Sequence, residues 1–170
     1  MMKTSIEPKF ILVDAGIISL FIAGGYINTL PTIFSLPMKM LVPTYEALIR
    51  IPSKREYVKA MIDNKLIELI NFVQSEETTK SFLTIHNNLR DECESFYLVT
   101  VTLNRNIIAT SNLENDITYL KKNKIIYYTI WDFIEKAKYT NKLSEVKTEL
   151  FLKNIESAKL KIYDYKTLVL

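Results

Sequence analysis

The sequence predicts an α/β fold, a three-layer α/β/α sandwich built around a mostly parallel central sheet. Short apolar runs of strand length alternate along the chain with helical patterns of about ten residues. The 170 residues include only 3 glycines and 5 prolines, which is typical of a compact chain with short loops. Because strands separated by helices pair in parallel through right-handed crossovers, helices are expected on both faces of one sheet.

Apolar runs bounded by polar residues, glycine or proline predict strands at residues 10–13, 38–42, 66–72, 106–109 and 124–128. Patterns of helical period predict helices at residues 17–23, 26–34, 45–50, 54–64, 75–87, 91–103, 113–122, 131–139 and 144–157. Asp14 ends the first strand, Pro43 is expected to end the second, and Pro52 ends the helix that follows it. Ser75 opens a helix with two glutamates in its first turn.

Length and composition are those of one globular domain with a hydrophobic core, since 48% of the residues are hydrophobic and 24% are charged. We therefore expect a single domain over residues 1–170, with its core at 10–140 and a helical tail at 141–170. No charged residue occurs in residues 15–38, but Gly24, Gly25, Pro31 and Pro37 break that stretch into pieces too short to span a bilayer. The expectation is a cytoplasmic protein with no membrane span and no secretory signal.

Several classes of chemistry are excluded by composition. All three glycines lie before residue 26, so neither a dinucleotide-binding nor a P-loop motif follows a later strand. One histidine, His86, and one cysteine, Cys93, cannot form a zinc site of the usual kind or an internal disulfide. The formal net charge of +3 does not by itself indicate a nucleic-acid partner. Any metal chemistry must therefore use oxygen ligands.

Acidic and polar residues follow the predicted strands. In an open parallel sheet the functional crevice lies beyond the carboxyl ends of the strands. The candidates for that crevice are Asp14, Glu46, Glu94 at the start of the helix at 91–103, and Asn112 with Glu114 and Asp116. Gathering such groups at one edge is costly unless a divalent cation offsets their repulsion.

Each candidate also has a purely structural explanation. Asp14 and Asn112 are natural helix N-caps. Glu46 could be a first-turn glutamate favoured by the helix dipole. Asp91 and Glu94 have the spacing of a capping box. Position in the sequence leaves both explanations open.

Four segments together resemble the PIN domain, a family that includes the VapC-type toxins of prokaryotic toxin-antitoxin pairs. The segments are Ile11-Leu-Val-Asp14-Ala-Gly-Ile-Ile18, Tyr45-Glu46-Ala-Leu, Asp91-Glu-Cys-Glu94 and Ile107-Ile-Ala-Thr110-Ser-Asn112. Their order and spacing are similar to the family pattern over residues 10–140. Two departures stand out: Asn112 occupies the position where the family usually has a third aspartate, and Ala15 replaces the common Ser or Thr.

The resemblance implies a metal-dependent endoribonuclease and is compatible with a role as the toxin of a toxin-antitoxin pair. Asp14, Glu46 and Glu94 would be the catalytic carboxylates and would hold Mg²⁺ or Mn²⁺. Asn112, Glu114 and Asp116 would complete the ligand set, with one of the two acids compensating for the neutral amide. The alternative hypothesis is a catalytically inactive PIN-like scaffold or protein-interaction subunit. A phosphoacceptor receiver domain fits less well, because only one aspartate follows the first strand.

The expected partners are an RNA substrate, an antitoxin protein and a second copy of the chain. The cations that flank the predicted crevice are Arg50, Lys54, Arg55 and Arg105, which could contact phosphates or simply be solvated surface. Trp131 is expected in the core rather than in base stacking. Residues 15–34 and 162–170 carry more apolar surface than a small monomer usually exposes, and a homodimer or an antitoxin-bound complex would bury them.

Overall fold

The computed structural model describes residues 8–72, 75–89, 97–100, 106–111 and 113–162, and of residues 89 and 113–116 the backbone only. The strands are β1 (Ile11–Val13), β2 (Met38–Leu41), β3 (Glu68–Ile70), β4 (Ile107–Ala109) and β5 (Tyr127–Tyr128). The helices are α1 (Ala15–Gly24), α2 (Val42–Ile49), α3 (Pro52–Asp63), α4 (Glu76–Leu89), α5 (residues 97–100), α6 (Leu113–Lys122), α7 (Ile130–Tyr139) and α8 (Glu145–Ser157), with a 3₁₀ helix at Ile27–Thr32.

The strands form one parallel sheet in the order β3-β2-β1-β4-β5. Strand β1 lies at the centre, where Ile11 is in register with Met38 of β2 and with Ile107 of β4. All carboxyl ends of the strands therefore meet at one edge of the sheet. The predicted α/β class with a parallel sheet is confirmed.

Helices cover both faces of the sheet. Alternate residues of the central strands, such as Ile11 and Val13, face a main core shared with α1, α2, α3, α7 and α8. The intervening residues Leu12, Leu41 and Ile108 face a second core formed with α4, α5 and α6. Period-two alternation in buried strands thus produces the three layers that the sequence predicted.

Some element boundaries differ from the prediction. Pro43 does not separate β2 from α2: the helix begins at Val42 and Pro43 lies in its first turn, where a missing N–H costs nothing. Residues 26–34 were predicted as a helix, but Pro31 limits them to the 3₁₀ helix. Strand β3 is shorter than predicted because Leu66 and Ile67 donate to the carbonyl of Met61 in the turn that ends α3.

The C-terminal helix α8 covers α1, which the sequence did not predict. Phe151 of α8 is fully buried against Phe21, with ring centroids 5.1 Å apart, and Asn154 donates to the carbonyl of Gly24. Most of the large apolar side chains at residues 15–34 are consequently buried within the chain itself. The inference that this segment needs a partner chain to cover it was therefore wrong.

Within the described ranges, no helix is both long enough and apolar enough to cross a membrane.

Candidate functional site

The candidate site lies where β1 and β4 end, and Asp14 is at its centre. Asp14 has extended backbone and is the N-cap of α1: its Oδ1 accepts a hydrogen bond from the backbone N–H of Ile17 at 2.7 Å. The N-cap role that the sequence left open is therefore confirmed. That role uses one of the two carboxylate oxygens.

The second oxygen of Asp14 connects two strand ends. Oδ2 accepts from the backbone N–H of Ser111 at 2.9 Å, and the backbone N–H of Asp14 donates to the carbonyl of Ala109 at 3.0 Å. Asp14 is half-buried, and both of its oxygens are oriented by backbone donors. Because each oxygen of an ionised carboxylate accepts more than one bond, the group can still bind a cation.

Gly16 permits the close approach of Ser111 to α1. A Cβ at Gly16 would lie 1.7 Å from Ser111 Oγ and 2.9 Å from Ser111 Cβ, so any side chain there would displace Ser111. Neither Gly16 nor Ser111 is predicted to be functional from the sequence alone. The available signal was a glycine two residues after the aspartate, at a point where another strand end must approach.

Tyr97 attaches α5 to the end of β1. The buried Tyr97 hydroxyl donates a hydrogen bond to the carbonyl oxygen of Val13, the residue before Asp14. This contact crosses from the second core to the candidate site. Sequence reasoning missed it because an apolar helical pattern predicts burial for Tyr97 but names no partner for its hydroxyl.

Glu46 lies on α2, at the neighbouring position along the same edge of the sheet. Its side chain is exposed and makes no hydrogen bond or ion pair with any described residue. Since α2 begins at Val42, Glu46 lies beyond the first turn, and the explanation of a first-turn glutamate was wrong. The described contacts do not bring Glu46 and Asp14 together.

The side chains of the other predicted ligands are outside the part of the chain that the structure describes. Glu94 and Asn112 lie outside the described residues, while Glu114 and Asp116 lie in α6 without described side chains. Among the residues that are described, no three His, Cys, Asp or Glu side chains form a group able to hold a metal. The described part of the site thus contributes one oriented carboxylate, Asp14.

The predicted cations have different surroundings. Arg50 and Arg55 are exposed at the junction of α2 and α3, where Arg55 Nε donates to the carbonyl of Ile49 at 2.8 Å. Lys54 is half-buried, its Nζ donates to Ser19 Oγ at 2.7 Å, and burial lowers the pKa of its amine. Arg105 lies outside the described residues. Trp131 packs against the main core, as expected.

A small cleft adjoins Asp14. Its walls come from the ends of β4 and β5, from α1 and α7, and from the chain after α8, and they comprise Leu20, Thr110, Ser111, Thr129, Ile130, Lys161 and Ile162. Ser111 belongs both to this cleft and to the hydrogen bonds of Asp14.

Comparison with known proteins supports the fold. No family model matches the chain, and no curated protein matches its sequence. A chain in the structure of FitAB bound to an IR36 DNA fragment aligns with a TM-score of 0.51 and 12% identity, covering 72% of this chain and 96% of that one. FitAB is a toxin-antitoxin complex in which FitB is a PIN-domain toxin. At this identity the likeness shows the fold alone, and the chain has a PIN-like three-layer α/β/α architecture.

Proposed function

We propose that this protein is a metal-dependent endoribonuclease that acts as the toxin of a toxin-antitoxin pair. The observation that carries the proposal is the oriented carboxylate of Asp14, placed at the carboxyl edge of β1 by the backbone donors of Ile17 and Ser111. This is the edge at which parallel α/β sheets bind their ligands. The PIN-like fold and the toxin-antitoxin context of the FitAB neighbour support it.

In this proposal Asp14, Glu46 and Glu94 hold Mg²⁺ or Mn²⁺, and Asn112, Glu114 or Asp116 completes the ligand set. When bound, the cation supplies water activation and stabilises charge on the scissile phosphate. Asp14 is pre-oriented for this task because Gly16 lets Ser111 approach it. Glu94 precedes Tyr97 by three residues, a span of at most about 10 Å of chain. The Tyr97 hydroxyl donates a hydrogen bond to the carbonyl of Val13, the residue before Asp14.

The test is divalent-dependent cleavage of an RNA pool that contains single-stranded and structured molecules. We expect the wild-type chain to cleave with Mn²⁺ or Mg²⁺, and Asp14→Asn to reduce the rate by about 100-fold or more, since it removes a charged ligand. An asparagine at this position can accept only one of the two backbone hydrogen bonds that Asp14 accepts from Ile17 and Ser111. The free energies of unfolding of the variant and the wild type must therefore be compared. Ser144→Ala is the matched control, because it removes the N-cap of α8 at a similar expected cost of about 1 kcal/mol.

The second candidate function is a non-catalytic PIN-like subunit. Asn112 in place of an acid favours it, because an amide oxygen contributes no charge to a cation site. It predicts that the wild-type chain cleaves no RNA and that Mn²⁺ and Mg²⁺ leave its thermal midpoint unchanged. Cleavage that survives Asp14→Asn in a folded protein would instead contradict the proposed site.

An antitoxin protein and a second copy of the chain are part of the same proposal. Co-purification with the product of an adjacent reading frame, followed by loss of cleavage in the complex, would support the antitoxin. Sedimentation of the isolated chain tests the homodimer.

A further inference from the structure

The chain after α8 turns back toward the candidate site. Lys159 has left-handed backbone, with φ of 56°, and its N–H donates to the carbonyl of Glu156 at 2.9 Å. Leu160 donates to the carbonyl of Ile155 at 3.2 Å. This pattern ends a helix and reverses the chain. Ile162 then packs against the main core, which fixes the backbone on both sides of Lys161.

Lys161 is thereby placed in the cleft beside Asp14. It lines that cleft together with Thr110, Ser111 and Thr129, and the N–H of Ser111 lies 2.9 Å from Asp14 Oδ2. Lys161 is exposed and forms no ion pair with any carboxylate in the described ranges.

We propose that Lys161 binds a backbone phosphate of the RNA substrate next to the scissile bond, an assignment that rests on the proposed function. Among the described residues, the six that line the cleft with Lys161 are hydroxyl-bearing or aliphatic, and none carries an aromatic ring on which a base could stack. A lysine ammonium is a compact charge suited to a phosphate oxygen, and phosphate contacts position a strand without reading its sequence. Lys161 is therefore a substrate-binding residue supplied by the C-terminal segment.

The experiment measures RNA affinity without cleavage. A labelled single-stranded RNA of mixed sequence is titrated in EDTA with the full chain, with Lys161→Gln, with Lys161→Arg and with Lys153→Gln. Lys153 is the matched control, since it is an exposed lysine of α8 that does not line the cleft. Thermal midpoints establish that all four proteins are equally folded.

We expect Lys161→Gln to weaken RNA binding about fivefold at 0.1 M salt. The slope of log affinity against log salt concentration should become smaller by about 0.7, which is the contribution of one phosphate contact on a single strand. Lys161→Arg should restore both values, and Lys153→Gln should match the wild type. In Mn²⁺, Lys161→Gln should raise KM and leave kcat nearly unchanged.

Two failures are distinguishable. If the wild type binds and cleaves RNA but Lys161→Gln behaves as Lys153→Gln does, the assignment of Lys161 is overturned and the proposed function stands. If the wild type neither binds nor cleaves RNA, the proposed function fails, and this assignment fails with it.

Discussion

Asp14 performs structural and proposed chemical roles with the same two oxygen atoms. One oxygen caps α1 through Ile17, and the other connects β1 to β4 through Ser111. Both donors are backbone N–H groups, which no side-chain substitution at those positions other than proline removes. A half-buried carboxylate held in this way needs little reorganisation to meet a cation. The capping role and the proposed ligand role are therefore compatible.

Lys54 provides a prediction about pH. Burial holds the pKa of its amine below the usual 10.5, so the charged form is less stable in the folded chain than in the unfolded chain. Between the lowered pKa and 10.5 the unfolded chain binds more protons, and stability rises with pH. The free energy of unfolding of the wild type should thus increase, relative to Lys54→Met, as the pH is raised from 7 through 10.5.

Denaturant unfolding of both proteins across that pH range measures the difference. The same substitution at the exposed Lys59 of α3 controls for the loss of one positive charge. A difference between wild type and Lys54→Met that stays constant with pH would contradict the prediction.

At the scale of elements, several helices end in the same way. Gly25, Lys65, Lys124, Asn141 and Lys159 all have positive φ, from 55° to 81°. In each case the next residue donates back to a carbonyl five positions earlier, as Ile125 does to Leu120. This is the Schellman motif, whose left-handed position favours glycine. Lysine is tolerated there at a steric cost, while its charge interacts favourably with the helix C-terminus.

Replacing one of these lysines by glycine should stabilise the protein. For Lys124→Gly we expect the free energy of unfolding to rise by about 0.5 to 1 kcal/mol, because relief of left-handed strain exceeds the added freedom of the unfolded chain. Lys121→Gly, on the right-handed last turn of α6, should lower it by up to about 1 kcal/mol. Urea unfolding of the two variants tests whether their changes in the free energy of unfolding have opposite signs. Equal destabilisation by both substitutions would contradict the explanation.

At the scale of the whole molecule, α8 completes the main core. Phe151 has no exposed surface, and a methyl group at Gly24 would lie only 2.2 Å from its ring, so the two helices are in direct contact. Phe21, Tyr26 and Phe151 form a cluster with ring centroids 5.1 and 6.1 Å apart. The tail is thus part of the core that covers α1.

Truncating Phe151 should therefore be costly. We expect Phe151→Ala to lower the free energy of unfolding by about 3 to 5 kcal/mol, since it leaves a cavity between α1 and α8. Leu150→Ala on the same helix should change it by less than about 1 kcal/mol, because 48% of Leu150 is exposed. Chemical denaturation monitored by circular dichroism compares the two. Similar losses for both variants would show that α8 does not complete the core.

Local pattern was sufficient to predict much of this fold. The apolar runs before Asp14 and around Met40 identified buried strands, and helical periodicity placed most helices within a few residues of their observed bounds. Boundaries failed where a turn or a proline acts through backbone geometry, as at Pro31 and Pro43. The position of Asp14 at a strand end was also predictable, because the parallel order places every carboxyl end at one edge.

The sequence by itself determined the α/β class, the alternation of strands and helices, and the candidacy of Asp14, because these depend on residue types a few positions apart. Only the tertiary structure decided that Ser111 holds Asp14 across 97 residues, that Asn154 reaches Gly24 across 130, and that Lys161 returns to the candidate site. Such contacts depend on how packed layers bring distant segments together. Local periodicity shows which side of an element is buried, but the packing of the whole chain decides what covers it.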